Sequence, residues 1–210
     1  MDATRAKLIM AALHELYPDA KPELHFRNPF EVLIATILSA QCTDRRVNML
    51  TSRLFPMYPD AFAMAKLEPE ELEPLIKECG LYHNKAKNIV AACRALVEQY
   101  DGAVPSTREA LMKLPGVGQK TAGVVLLAAF GDDQIPVDTH VFRVARRIGL
   151  SDGNTPEKVE AQLRELIDRD TWSLAHHLII WHGRRCCHAR KPECERCPLN
   201  EGLCEKHMER

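Results

Sequence analysis

The run Leu114-Pro115-Gly116-Val117-Gly118-Gln119-Lys120-Thr121-Ala122 decides how this chain is read. Upstream, Ser106-Thr107-Arg108-Glu109 has capping-box form and opens a short predicted helix through Leu114, which Pro115-Gly116 ends. Downstream, a second helix is expected from Gln119 through Val124, Leu127 and Ala128 to Gly131. Glycines between two helices permit a tight reversal, and their missing side chains let backbone amides approach another molecule. Amides at the start of the second helix face outward and form an anion site suited to a phosphate. A helix-to-helix turn with a glycine cap explains a bare Gly-x-Gly equally well. Lys120 falls in the first turn of the second helix, where a cation opposes the positive helix end; that placement, with some expected burial, favours the neutral, nucleophilic amine. The competing use for Lys120 is contact with a phosphate.

Helical periodicity extends over the rest of the chain, and no run sustains the alternation of a half-buried strand, so an all-α fold is predicted. The first helix is expected from Thr4 to Leu16. Asn28-Pro29 starts a second, Phe30 to Ser39, apolar nearly all round and therefore buried. Others are expected near 44–55, 60–65, 69–78 and 84–100, then after Asp138, after Thr155-Pro156, and from Thr171 to His182, ended by Gly183.

The chain has 210 residues, 46% hydrophobic and 27% charged, which suits one large domain or two small ones and excludes wholesale disorder. The longest uncharged apolar stretch, Ala122 to Phe130, falls far short of the ~20 residues that cross a bilayer. Charges at Asp2, Arg5, Lys7 and Glu15 do not fit a secretory signal, so a cytoplasmic location without membrane association is expected. Five of the eight cysteines, Cys186, Cys187, Cys194, Cys197 and Cys204, crowd the last 25 residues, which in a reducing compartment favours a metal or cluster over disulfides. Net charge is -1, but unevenly placed. Residues 59–78 carry six acids against two bases; 113–150 carry five bases against three acids, and 184–197 five bases against two acids. The basic excess thus lies with the hairpin and the cysteines, as a nucleic-acid partner requires.

Asp138, in Pro136-Val137-Asp138-Thr139-His140, reads first as a helix cap. A carboxylate there also suits stabilisation of the positive charge that develops when an N-glycosidic bond breaks. His140 is placed to reach a phosphate or simply to lie on the surface. Cys187-x6-Cys194-x2-Cys197-x6-Cys204 supplies four thiolates, with Cys186 a possible substitute for the first; spacing alone fits zinc or an iron–sulfur cluster.

The hairpin run resembles the helix-hairpin-helix that grips DNA backbone. With Leu38-Ser39-Ala40-Gln41-Cys42-Thr43-Asp44, Gly80-Leu81-Tyr82, Val137-Asp138-Thr139-His140 and the cysteine spacing, the chain resembles the endonuclease III family along nearly its whole length. The resemblance implies two helical lobes: a helical bundle over about 22–132 bearing the hairpin motif (about 106–130), and a second lobe of 1–21 plus 133–210 holding a cluster loop at 187–204. It implies a bifunctional DNA glycosylase and abasic-site lyase that excises oxidised pyrimidines from damaged double-stranded DNA, acting as a monomer and nucleoid-associated if bacterial. By that resemblance Lys120 attacks C1′ and forms a Schiff base, and Asp138 assists. Gln41 and Leu81 enter the duplex at the vacated base. Gly116, Val117, Gly118, His140, Arg190 and Lys191 contact DNA, and Cys187, Cys194, Cys197 and Cys204 hold a [4Fe-4S] cluster, whose expected role is structural because neither reaction step is a redox step. The last cysteine interval is one residue longer than the family's usual five. Two rivals remain at this stage: an adenine-mispair glycosylase, against which Lys120 and the stop at Arg210 both speak, and a non-catalytic DNA-binding module with a zinc-stapled tail.

Overall fold

The computed structural model describes residues 2–132 and 135–204. Among them the chain is helical: α1 (Ala3–Leu16), α2 (Pro29–Ser39), α3 (Asp44–Met57), α4 (Ala61–Ala65), α5 (Pro69–Ile76), α6 (Tyr82–Tyr100), α7 (Arg108–Leu111), α8 (Gln119–Phe130), α9 (Thr139–Ile148), α10 (Pro156–Leu166) and α11 (Trp172–Arg185). Among the described residues single 3-10 turns lie at Arg169–Thr171, between α10 and α11, and at Cys194–Arg196 and Pro198–Asn200, after α11. No helix of the described residues is long and apolar enough to cross a membrane. The chain divides into two compact units, Pro22–Asp132 and Met1–Lys21 with Asp133–Arg210.

The unit 22–132 is organised around α2. Asn28 caps it, its side chain accepting from the Glu31 amide at 2.9 Å, and every residue from Phe30 to Leu38 is buried. Such a helix is stable only inside a core, since each fully buried large apolar side chain contributes about 2 kcal/mol and the exposed alternative loses it. The charged member of that run, Glu31, is 1% exposed and held by Arg27, whose Nε and backbone amide donate to its carboxylate at 3.0 and 2.7 Å. Helix α8 packs its buried residues Ala122, Val125 and Leu126 into the same core, which fixes the hairpin preceding it.

The hairpin differs from expectation in its cap. The helix α7 starts later than predicted and spans one turn; Thr107, not Ser106, is the cap, its Oγ1 accepting from the Ala110 amide at 3.3 Å. The Ser106–Glu109 capping box is therefore displaced by a cap one residue on. Gly116 adopts φ +78°, and a Cβ there would lie 2.9 Å from the Asn88 Cβ. Gly116→Ala is accordingly expected to destabilise the fold by about 1–3 kcal/mol through left-handed strain plus the clash, read as a lower Tm in thermal unfolding. Gly118 has φ −96° and open space where a Cβ would stand.

In the other unit, α1, α9, α10 and α11 enclose Ile9, Leu13, Val141, Val144, Ala145, Ile148, Val159, Leu163, Leu178 and Ile179. Gly183 does not end α11, as expected, but lies within it, and the helix continues to Arg185. Its lack of a side chain serves close packing: a Cβ there would be 3.0 Å from Val144 Cγ2 and 3.2 Å from His140 Cβ.

Candidate active site and cluster loop

Helix α8 begins without a side-chain cap at Gly118, so its first amides have no protein oxygen at the N-cap and can meet an anion. The Val117 amide is already donated to Leu114 O at 3.1 Å, and its side chain is buried in the core. Val117 thus shapes the turn, while Gly118, Gln119 and Lys120 present themselves to solvent. Lys120 is exposed, so its placement rests on the helix start and not on burial.

Asp138 caps α9. Its Oδ1 accepts from the amides of His140 at 2.8 Å and Val141 at 2.7 Å, which anchors the carboxylate and leaves Oδ2 outside the cap. His140 is half-buried; burial holds its ring below the ordinary histidine range even though the Asp138 charge pulls the other way. Its Nδ1 lies 3.2 Å from an Arg143 terminal nitrogen.

Gln41 and Leu81 are both exposed and both left-handed, at φ 54° and 60°. Among the described residues four non-glycine positions have positive φ, and three of them, Gln41, Leu81 and Lys191, are residues singled out from sequence. The fourth, Asp101, ends α6. A left-handed leucine costs roughly 1–2 kcal/mol, and at 55% exposure Leu81 recovers little of it by burial. Leu81 therefore combines backbone strain with an exposed apolar side chain.

The cysteine loop is built around two arginines of α9 that sequence reasoning counted only as basic surface. Arg143 donates through Nε to Cys187 O at 3.2 Å and through a terminal nitrogen to Gly183 O at 2.9 Å. Arg147 donates to His188 O at 2.6 Å and Ala189 O at 3.0 Å; one of its nitrogens lies 3.7 Å from Cys187 Sγ, and the Cys204 thiol approaches its carbonyl at 3.5 Å. Arg5 adds a donation to Leu203 O at 2.8 Å. Their spacing along α9, one turn apart, was the available signal, since it sets both side chains on one face.

The donor set fits an iron–sulfur cluster. None of the eight cysteines is in a disulfide, and the Cys197 thiol is raised by burial with Cys187 and Cys194 close enough to add to that effect. Soft thiolates gathered in one loop select zinc or iron–sulfur chemistry over hard cations. Cys187, Cys197 and Cys204 also pack against the apolar core of their unit, so the loop is anchored where the thiols are. The long last interval is absorbed by the 3-10 turn at Pro198–Asn200, the buried Leu199, and Gly202 at φ 86° with free space around it. Cys186 and Cys197 also lie with His182 such that their ligand atoms are within 4.8 Å of one another.

The model of HhH-GPD superfamily base excision DNA repair proteins matches residues 34–169, and that of the iron–sulfur binding domain of endonuclease III matches 187–204, beginning and ending on cysteines. Endonuclease III of Escherichia coli K12 is 46% identical over 205 residues, 98% of this chain and 97% of that one. The chain belongs to the endonuclease III family.

As a member of the endonuclease III family it is a base excision DNA repair enzyme, a DNA glycosylase with abasic-site lyase activity, and it carries the [4Fe-4S] cluster of that family. Endonuclease III of Rickettsia conorii is 50% identical over 184 residues, 88% of each chain. The structure of a trapped endonuclease III–DNA covalent intermediate with an estranged adenine superimposes with a TM-score of 0.95 at 44% identity, covering 100% of this chain and 98% of that one. A non-covalent endonuclease III–DNA complex matches equally well. A thermostable thymine-DNA glycosylase matches with a TM-score of 0.87 at 26% identity over the full length of both chains.

For this endonuclease III family member the charge map is narrower than the regional count. Part of the acidic stretch is paired with bases outside it, Glu68 with Arg94 at 2.9 Å and Glu78 with Arg53 at 3.1 Å, while Glu73 lies 2.8 Å from His83 Nδ1. Arg143 and Arg147 serve the loop. Lys120, Arg190 and Lys191 are the predicted contact cations that stand exposed.

Proposed function

We propose that this enzyme acts as a monomer on damaged double-stranded DNA, excising oxidised pyrimidines and nicking the abasic site by β-elimination. Lys120 Nζ attacks C1′, the damaged base departs with a proton, and the opened sugar is held as a Schiff base. Loss of a C2′ proton then expels the 3′ phosphate. Asp138, anchored by two amides through Oδ1, stabilises positive charge on the sugar and assists deprotonation of the amine. Cys187, Cys194, Cys197 and Cys204 are the thiols that hold the cluster; when bound, the cluster supplies a covalent crosslink for a loop otherwise held by Arg143 and Arg147. Arg190 and Lys191 meet phosphates, as do the amides at Gly116 and Gly118.

The observation that carries this reading is the exposed Lys120 in the first turn of an uncapped helix behind a glycine turn, in a chain closely similar to one trapped covalently on DNA. Single-turnover excision across a panel of oxidised pyrimidines, with an adenine mispair as control and borohydride trapping of the adduct, tests it. Excision of the mispaired adenine alone, without an adduct, overturns it.

The left-handed Leu81 gives a second check. Leu81→Gly relieves backbone strain and removes the wedge, so the variant is expected to be more stable by about 0.5–1 kcal/mol yet slower on duplex substrate by on the order of tenfold, with less loss on single-stranded substrate. Equal losses on both substrates would place Leu81 outside the duplex.

A further inference from the structure

Two cysteines outside the cluster loop lie side by side. Cys42 Sγ and Cys79 Sγ are 3.1 Å apart, although 37 residues separate them in sequence. Each sits in a turn that closes a helix: the Cys42 amide donates to Ser39 O at 3.1 Å past the end of α2, and the Cys79 amide donates to Ile76 O at 2.9 Å past the end of α5. The turns also touch through backbone, since a Cβ at Gly80 would lie 3.4 Å from Gln41 O. Gln41 precedes Cys42 directly, and Leu81 follows Cys79 by two positions. Both cysteines therefore belong to the two turns that carry the strained residues assigned above to the duplex.

We infer that Cys42 and Cys79 form an oxidisable dithiol, and that a low-molecular-weight disulfide converts it to an intramolecular disulfide that restrains the Gln41 and Leu81 turns and slows work on DNA. The consequence for DNA rests on the reading given under Proposed function. Chemically, Cys42 is the entry point because it is partly exposed while Cys79 is 1% exposed. The Cys42 thiolate attacks one sulfur of the oxidant, expelling one thiolate and forming a mixed disulfide. The Cys79 thiolate then attacks Cys42 Sγ and expels the second thiolate. Two protein thiols are oxidised, one small disulfide is reduced to two thiols, and the protons pass to the leaving groups.

Geometry favours the second step, because the nucleophile is already in contact and a bond of about 2.05 Å requires the sulfurs to approach by only about 1 Å. Burial and the neighbouring Cys42 thiol push the Cys79 thiol up to about 12, while Lys85 and Arg46 act in the opposite sense. Both cations brace the same turns: Lys85 Nζ donates to Leu38 O at 2.8 Å and Arg46 to Glu78 O at 3.2 Å. Resolution of the mixed disulfide still runs through the Cys79 thiolate; the raised thiol makes that thiolate scarce, and the 3.1 Å contact offsets the scarcity. Cys93, fully buried in the same core, has its thiol raised by burial and provides an internal reference.

The test uses the cluster-loaded enzyme incubated with oxidised glutathione, then alkylated and digested with trypsin. Cys42 and Cys79 fall in different peptides, because Arg45 and Lys77 separate them. The expected result is a linked 42–79 peptide pair that dithiothreitol separates, with Cys93 unlinked and the visible absorption of the cluster unchanged. Single-turnover excision on duplex should fall by on the order of tenfold and return on reduction. Cys42→Ser and Cys42→Ala should be insensitive to the oxidant. Absence of the linked pair overturns the inference, as does a linked pair with undiminished excision. Failure of the underlying functional reading is distinguishable, since it would show as no excision by the reduced enzyme before any oxidant is added.

Discussion

Lys120→Gln is expected to abolish the borohydride-trapped adduct and to lower single-turnover excision by on the order of 10^4-fold, while leaving folding stability within about 0.5 kcal/mol. The two halves of that expectation come from different observations. The loss follows from the amine: a glutamine amide at the same place has no lone pair able to attack C1′ or to form a Schiff base. The unchanged stability follows from exposure, since Lys120 lies on the solvent side of α8 while Ala122, Val125 and Leu126 hold that helix in the core. Damaged-duplex binding should survive, because the anion site is made by backbone amides and not by the lysine. An adduct formed at the wild-type rate by Lys120→Gln would move the nucleophile elsewhere.

Asp138 allows a sharper separation of roles, because its two substitutions divide fold from chemistry. Asp138→Asn keeps an oxygen acceptor for the His140 and Val141 amides, so stability should change by well under 1 kcal/mol. Its charge is gone, however, and excision should fall by about 10²–10⁴-fold. Asp138→Ala loses both, adding about 1 kcal/mol of destabilisation to a similar kinetic loss. Thermal unfolding of the two variants beside single-turnover rates checks the pair. If Asp138→Asn excises at the wild-type rate, the carboxylate is a cap and nothing more.

The helical architecture was legible because it rests on local signals. Asn28-Pro29 and Thr155-Pro156 cap helices where they stand, and the apolar run of α2 could only be buried. Two local readings failed for physical reasons. The cap of α7 moved to Thr107 because a neighbouring residue offered an equivalent oxygen, a choice that local sequence leaves nearly degenerate. Gly183 read as a stop because glycine weakens helices, yet its function is to let α9 approach α11, a tertiary requirement with no local signature.

The site divides in the same way. The glycine turn, Asp138 and the cysteine spacing declare themselves in sequence. Gln41 and Leu81 did not, except through resemblance; their left-handed backbones are the physical mark, and φ is not written in residue type when the residue is not glycine. Arg143 and Arg147 looked like surface charge because the carbonyls they bind belong to residues some 40 positions away.

Those arginines share one helix with the candidate carboxylate. Helix α9 carries the Asp138 cap at its first turn and the Arg147 clamp on the cysteine loop near its last. Release of the cysteine loop is expected to speed hydrogen exchange at the His140 and Val141 amides, which the Asp138 carboxylate holds at the other end of the helix. Unchanged exchange at these two amides when the loop is released would show that the helix does not transmit the state of the loop to the carboxylate.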